Sequence, residues 1–352
     1  MAGFVEDNAR YEDWLREQCA VVEDGLSLKQ EKMREEEPFV FLRATYFRWA
    51  RQTNIEFPKL AKAPQTLAIG DAHIENFGTW RDVDGRLVWG VNDFDEGAKM
   101  PYPFDLVRLA ASALLSEASE LSAAGIAVAL LRGYEKGLRR PRPLLLDDQR
   151  ARIREDMVVK KDVDEFWLEI DSCADEQPPP DVVAGFEKSL PRGATVARYA
   201  SRVAGAGSLG RPRYLAIADF QGGRVLREAK AVVPSAWYWA RGAKTTRSDI
   251  ETLSRGPSRA PDPRLKVLGN HVFRRLAPDS GKIELGGMCR EIDERLFRAM
   301  GAEIGSIHSS GGGVDQILDD LESRKADWLA RASKKAAKLA KDDQKEWKHE
   351  GP

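Results

Sequence analysis

The chain has 352 residues, of which 42% are hydrophobic, and its 9 Trp and 13 Phe provide enough apolar surface for one large two-lobed domain or two domains. Its net charge of −1 argues against a dedicated nucleic-acid binder, because such proteins usually carry a basic excess. No run of about 18 apolar residues predicts a membrane span.

The N-terminal residues lack the basic start and the apolar stretch of a signal peptide. Cys19, Cys173 and Cys289 are too far apart in sequence to indicate a zinc site or a disulfide framework. We therefore expect a cytoplasmic protein, and neither a membrane nor nucleic acid as a partner.

Helices are predicted over residues 1–55, and a strand–turn–strand unit over 64–95 follows them. Thr66–Ile69 is a short apolar run typical of a strand. Arg86–Val91 is predicted to pair with it, because Asp82–Gly85 has the Asp-Gly composition of a tight turn.

Three polar side chains follow these predicted strands. Asp71 and Asn76 lie five positions apart, and Asp93 comes after the second strand. Phosphoryl transfer uses an Asp to orient the acceptor hydroxyl, and an Asn and a second Asp to bind the metal. Magnesium prefers such oxygen ligands and keeps several waters. The spacing predicts Asp71 as the catalytic residue and Mg²⁺ held by Asn76 and Asp93.

Three further polar residues lie in or near these motifs. We interpret His73 as a residue that orients the loop around Asp71, and Asp95 as an additional acid near the metal. Asp105 can either cap the following helix or brace the loop. Either motif alone is also compatible with an ordinary polar turn, because Asp, Asn and Gly are common there.

Two helices are predicted within residues 103–138, over Leu106–Glu117 and Ala123–Leu138. Leu144–Cys173 is charged and is predicted to be helical. Gln177–Pro180 is predicted to be a linker or an exposed turn.

A glycine-rich loop then separates two predicted strands. It contains Gly205, Gly207, Ser208 and Gly210, and the second strand after it carries Lys230. Glycines let backbone amides approach phosphates, and a lysine binds them as a point charge. The loop therefore predicts a flap that covers a nucleotide, with Lys230 close to Asp93.

The alternative is a glycine-rich hairpin with an exposed lysine. A dinucleotide-binding loop is disfavoured, because a strand rather than a helix is predicted after the glycines. The acidic partner of Lys230 stays open between Glu228 and Glu251.

The C-terminal part is predicted to be helical. Lysines at 334, 335, 338 and 341 form a basic side in the stretch Val314–His349. Such a run is usually a solvated helix face, and contact with nucleic acid or with an acidic partner is the alternative.

Four stretches resemble a bacterial family known as domain of unknown function 2252. They are PFVFLRATYFRWA (Pro38–Ala50), GDAHIENFG (Gly70–Gly78), VNDFDEGAKMPYPFDLVRLAAS (Val91–Ser112) and SRVAGAGSLGRPRYL (Ser201–Leu215). The segment Gly70–Ser112 also resembles the catalytic segment of aminoglycoside phosphotransferases and other kinase-like small-molecule kinases.

The resemblance implies an α+β, protein-kinase-like two-lobed fold with ATP, Mg²⁺ and a small-molecule acceptor. Because the glycine loop follows the catalytic loop, the fold is expected to be circularly permuted. We expect a mostly helical large lobe (1–190), a β-rich nucleotide lobe (195–285) and C-terminal helices that return to the large lobe (286–352).

The leading hypothesis is an ATP- and Mg²⁺-dependent phosphotransferase acting on a small-molecule hydroxyl. The alternatives are a nucleotide-binding pseudokinase, a kinase-like protein that transfers AMP, and a metal-dependent hydrolase that uses Asp71, His73, Asp93 and Asp95.

Overall fold

A computed structural model describes residues 2–147, 162–245, 248–281 and 292–352. It combines helices with small antiparallel sheets, which confirms the expected α+β class. None of the described helices has the length and apolar character needed to cross a bilayer. The helices of the described residues are α1 (Phe4–Gln18), α2 (Glu23–Glu35), α3 (Pro38–Ala44), α4 (Tyr46–Glu56), α5 (Pro103–Ser116), α6 (Ala123–Arg139), α7 (Val163–Asp171), α8 (Pro180–Ser189), α9 (Ala236–Trp239), α10 (Ile250–Ser254), α11 (Glu294–Ser309), α12 (Val314–Ser323) and α13 (Trp328–Glu350).

The described strands form three sheets. The first contains β1 and β4, the second has the order β2-β3-β5, and the third is five-stranded with the order β6-β7-β8-β10-β9. The strands are β1 (Gln65–Ala68), β2 (Phe77–Arg81), β3 (Leu87–Val91), β4 (Ala98–Pro101), β5 (Leu144–Leu145), β6 (Thr195–Ser201), β7 (Arg213–Phe220), β8 (Gly223–Ala231), β9 (Lys266–Leu268) and β10 (His271–Leu276).

The predicted pairing of Thr66–Ile69 with Arg86–Val91 is wrong. β1 pairs with β4, with Leu67 opposite Lys99, whereas β3 pairs with β2, with Trp89 opposite Thr79. The tight turn lies where the sequence places it, but the strand that enters it is Phe77–Arg81. An apolar run predicts a strand without specifying its partner, since side-chain alternation records only which face is buried.

A second correction concerns Leu144–Cys173. Leu144 and Leu145 form a short strand against β3 instead of a helix, and α7 begins at Val163. The sequence also predicts a strand over Lys282–Leu285, and these residues lie outside the described ranges.

The main core lies among the helices α1–α6 and α11–α13, together with the first two sheets. The last helix packs on the first, with the rings of Phe4 and Trp347 edge to face at 5.6 Å. On α13, Leu329 and Ala336 are buried while the lysines at 334, 335, 338 and 341 are exposed. The basic side of this helix therefore faces solvent, and its contact with a partner stays a prediction.

The five-stranded sheet has its own apolar packing on both faces. Phe166 and Ile170 of α7 pack with Leu215 on one face. Phe186 of α8 packs with Phe273 on the other face. Both helices precede residue 195 in the chain, yet they cover the sheet that carries the glycine loop and Lys230.

Candidate functional site

Asp71 follows β1 in a turn whose backbone is fixed by Asp105. Gly70 has φ of +82°, a conformation that favours glycine. The carboxylate of Asp105 accepts hydrogen bonds from the backbone amides of Ile69 at 2.7 Å and Gly70 at 2.9 Å. Nε2 of His308 lies 3.0 Å from the same carboxylate. Asp105 therefore braces the loop instead of capping α5.

The Asp71 carboxylate is oriented by an arginine of α5. Arg108 donates from Nε to Asp71 Oδ1 at 2.8 Å, and from Nη2 to the carbonyl of Leu42 at 2.7 Å. Burial raises the pKa of Asp71, and Arg108 opposes that rise. His73 Nε2 lies 3.8 Å from Asp71 Oδ2. This distance is too long for a hydrogen bond, but the imidazole borders the carboxylate.

Asn76 joins the two predicted motifs. Its side-chain nitrogen donates to the carbonyls of Asp71 and Asp93, both at 3.0 Å. Its side-chain oxygen accepts from the backbone amide of Asp93 at 3.1 Å. The structure therefore brings the loops after β1 and β3 together, although these strands belong to different sheets.

Lys230 of β8 reaches the second motif. Its Nζ lies 3.0 Å from Asp93 Oδ2 and 2.7 Å from Asp95 Oδ2. Arg211 Nη1 lies 3.2 Å from the same Asp95 oxygen. Burial and the charge of Asp93 raise the pKa of Asp95, and the two cations oppose that rise.

Among the described residues, neither acidic candidate pairs with Lys230. Glu228 is held by Arg213 and by Arg274, the latter at 2.7 Å. Burial favours a higher pKa for Glu228, but these arginines outweigh it and hold the pKa well below its usual range. Glu251 accepts from the backbone amide of Val267 at 3.0 Å. The carboxylates that pair with Lys230 are those of Asp93 and Asp95.

The glycine loop lies over the catalytic loop. Gly205 has φ of +78°. A Cβ added to Gly207 would lie 3.0 Å from the carbonyl of Arg43 and 3.7 Å from Asp71 Oδ2. This close approach leaves little room for a larger side chain between the loop and Asp71.

The far end of the loop is fixed to its neighbours. Ser208 Oγ accepts from Arg213 Nη2 at 2.8 Å. Gly210 has φ of +88°, and its carbonyl accepts from the amide of Val22 at 2.9 Å. A Cβ at Gly25 of α2 would lie 2.7 Å from the Gly210 nitrogen, so the helix and the loop are in direct contact.

Two cavities meet beneath the loop. An outer cavity of about 520 Å³ lies between the five-stranded sheet and the strands β2 and β3. Its apolar part includes Trp80, Phe166, Leu265 and Leu276, and its basic part includes Arg43, Arg202, Arg213, Arg259, Arg274 and Arg275.

An inner cavity of about 70 Å³ lies toward α1 and α2. Asp71, Asn76 and Asp95 line it on one side, and Tyr11 and Lys29 line it on the other. Both cavities are lined by a common set, which we call the junction: Arg43, Glu75, Asp93, Gly205 and Ser208.

The donor chemistry at the junction fits a hard cation better than a transition metal. Within the described ranges, no group of three or more His, Cys, Asp or Glu side chains is arranged to hold a metal ion. Asn76 Oδ1 accepts from the backbone amide of Asp93. The carboxylates of Asp93 and Asp95 both contact Lys230, and Asp95 also contacts Arg211. Two protein oxygens are sufficient for a magnesium ion that keeps waters and phosphate oxygens as its other ligands.

Sequence reasoning missed three residues of this site: Lys29, Arg108 and Arg211. Arg108 interrupts the apolar run Leu106–Ala111, and a charged residue in a buried helix is a usable signal. Lys29 and Arg211 carry no such signal, because their positions depend on tertiary packing.

Comparisons with known proteins give one family. Searches of curated proteins and of solved structures found no match. Residues 21–170, less than half of the chain, match the model of a family described as an uncharacterized protein conserved in bacteria, DUF2252. This match supports the resemblance to that bacterial family in the segment that carries Asp71, Asn76, Asp93 and Asp105.

Proposed function

We propose that the protein is an ATP- and Mg²⁺-dependent phosphotransferase that acts on a small-molecule hydroxyl. The observation that carries this proposal is the 3.0 Å contact of Lys230 with Asp93 at the junction, directly beside Asp71, Asn76 and the glycine loop. A loop Asp, a loop Asn, a second Asp and a strand Lys are the parts that kinases use to position phosphates.

The outer cavity is the proposed nucleotide site. Its volume of about 520 Å³ lies in the usual range for small-molecule sites, roughly 300–1,000 Å³. The base packs in the apolar part near Trp80, Phe166 and Leu276. The phosphates run along the arginines toward the junction, under the amides of Gly205, Gly207 and Ser208.

The metal site is proposed at Asp93 and Asn76. A bound Mg²⁺ would neutralise charge on the phosphate oxygens. Asp95 supplies a further negative charge next to it. Lys230 binds the phosphates as a point charge, and in the absence of nucleotide its charge is compensated by the two aspartates.

Asp71 is the proposed catalytic residue. Its carboxylate accepts a hydrogen bond from the acceptor hydroxyl and takes the proton as the oxygen attacks the terminal phosphate. Arg108 holds the carboxylate in place, and His73 borders it. The proposed architecture is a permuted, kinase-like pair of lobes, supported by a glycine loop that follows the catalytic loop in the chain.

The test measures nucleotide binding and product chemistry with the full chain. We expect millimolar ATP with MgCl₂ to raise the Tm, and EDTA to reduce the shift. Asp93→Asn should lose most of the shift, whereas Asp84→Asn, an exposed residue of the β2–β3 turn, should keep it. Absence of any shift with Mg-ATP in the wild type would contradict the proposal.

Mass spectrometry of the nucleotide and of added acceptors then separates the related functions. Release of ADP with a phosphorylated acceptor supports the phosphotransferase. Acceptors that gain AMP indicate transfer of the nucleotide instead, and binding without any product indicates a pseudokinase.

A further inference from the structure

The inner cavity contains a buried cation without a carboxylate partner. Lys29 of α2 is 2% exposed and lines the cavity opposite Asp71. Among the described residues, no carboxylate lies within 4 Å of its Nζ. The nitrogen instead lies 5.5 Å from the ring centroid of Tyr11 and 5.6 Å from that of Phe47.

The carboxylates that line the same cavity are already paired with other cations. Asp71 pairs with Arg108, and Glu75 pairs with Arg43. Asp95 and Glu96 pair with Arg211, which lies 3.2 Å from the first and 3.1 Å from the second. Asp93 pairs with Lys230. Lys29 is therefore a cation of this cavity with no carboxylate in contact. Glu12 acts on it most strongly among the carboxylates, but its oxygens accept hydrogen bonds from Asn8 and Gln30.

A buried lysine with no carboxylate in contact is costly unless another group pairs with its charge. Burial lowers the pKa of Lys29 to about 8, so the amine is still mostly protonated at neutral pH. The stacked rings of Tyr11 and Phe47, 4.4 Å apart, stabilise the ammonium only weakly, since a cation–π contact replaces little of a lost hydration shell. A bound anion would supply the missing partner.

We propose that the inner cavity binds an acceptor that carries both a hydroxyl and an anionic group, and that Lys29 binds the anionic group while Asp71 receives the hydroxyl. This proposal rests on the phosphotransferase function proposed above. The cavity has room for about five waters at roughly 15 Å³ each. An acceptor end of that size corresponds to a carboxylate or phosphate with two or three carbons.

The probes are four small hydroxyl compounds that differ in charge. Glycerate and glycerol 3-phosphate are anionic, glycerol is neutral and ethanolamine is cationic. We expect calorimetric titration of the full chain in a phosphate-free buffer to detect binding of at least one anion, and much weaker binding of glycerol and ethanolamine. The two anions distinguish a carboxylate from a phosphate preference.

Lys29→Met should weaken binding of that anion by about tenfold or more, because a charge-assisted hydrogen bond is lost. Lys29→Arg should retain part of the affinity. Lys32→Met, on the same helix but at a half-exposed position, is the matched control and should bind as the wild type does.

Several results would overturn the proposal. They are equal binding of the anion to Lys29→Met, equal binding of glycerol or ethanolamine, or no binding of either anion to the wild type. Nucleotide binding is measured separately with Mg-ATP, and a cooperative thermal unfolding transition shows that Lys29→Met is folded. If the anion binds through Lys29 but Mg-ATP does not bind, the phosphotransferase proposal fails and the anion site stands.

Discussion

Lys230 Nζ lies 3.0 Å from Asp93 Oδ2, although 137 positions separate the two residues in the chain. The contact joins the five-stranded sheet to the loop after β3. Lys230 is nearly buried, whereas Asp93 is partly open to both cavities. A polyphosphate bound at this point would therefore replace Asp93 as the charge partner of Lys230.

The first prediction concerns this contact. Lys230→Met should abolish most of the thermal stabilisation by Mg-ATP, because the point charge for the phosphates is gone. Without ligand, it should destabilise the fold by about 1–3 kcal/mol, since Asp93 and Asp95 lose a partner. Urea unfolding and nucleotide titration check the two effects. Lys188→Met, on the exposed side of α8, should change neither, and an unaltered nucleotide affinity in Lys230→Met would contradict the assignment.

The second prediction separates catalysis from binding at Asp71. Asp71→Asn should bind Mg-ATP as tightly as the wild type but lower kcat by about 10²–10⁴-fold, because the group that takes the proton is lost. Arg108→Lys should lower kcat less and leave KM for ATP nearly unchanged, since a lysine can hold the carboxylate but cannot also reach the Leu42 carbonyl in the same way. ADP release is the assay. A normal kcat in Asp71→Asn would refute the catalytic role.

The third prediction uses two glycines of the five-stranded sheet region. Gly207→Ala should weaken ATP binding, because its Cβ would lie 3.0 Å from the Arg43 carbonyl and force the loop away from Asp71. Gly223→Ala should have no effect on binding, because a Cβ there meets open space. Nucleotide titration of both variants gives the comparison, and equal affinities would show that the loop does not contact the phosphates.

The fourth prediction concerns pH and Lys29. Burial lowers the pKa of Lys29 in the folded protein to about 8, below the ordinary lysine value of 10.5, so the unfolded chain binds more protons between these two values. Stability should therefore rise with pH across this window, by about 2 kcal/mol from roughly pH 7.5 to 9.5. The contribution is complete above the unfolded pKa and is lost as pH falls through the folded pKa.

Lys29→Met provides the reference for this measurement, because it should lack that rise. The other titratable or charged groups that act on Lys29 are Glu12, Arg211, Glu96 and Asp71, and they are common to both proteins. Tyr11 titrates later, because burial raises its pKa to about 12. Parallel pH profiles for wild type and variant, from urea unfolding, would contradict the prediction.

The sequence predicts the parts of this fold that depend on local patterns. The strand that carries Lys230 and the turn at Asp82–Gly85 are visible in the alternation of side chains and in turn composition. The pairing partner of β1 cannot be read from the sequence. Leu67 and Trp89 lie in apolar runs of similar length, and pairing depends on sheet topology. The strand Phe77–Arg81 was also missed, since its first residues continue the polar motif.

The residues of the candidate site also fall into two groups, those that the local sequence predicts and those that it does not. Asp71, Asn76 and Asp93 are predicted from the chemistry that their spacing allows. Lys29 and Arg211 are not predicted, because a lysine in an amphipathic helix and an arginine after a glycine have the sequence pattern of surface residues. Packing of α2 against Gly210 places these two cations in the lining of the cavity that Asp71 also lines.

One side of the inner cavity comes from helices near the N-terminus, whereas the residues proposed to bind phosphates come from the catalytic loops and the five-stranded sheet. If the proposed function holds, we expect substitutions at Tyr11 or Lys29 to change which acceptor binds while leaving ATP binding intact. Such a division would let one core for phosphate transfer serve different acceptors through changes on two helices.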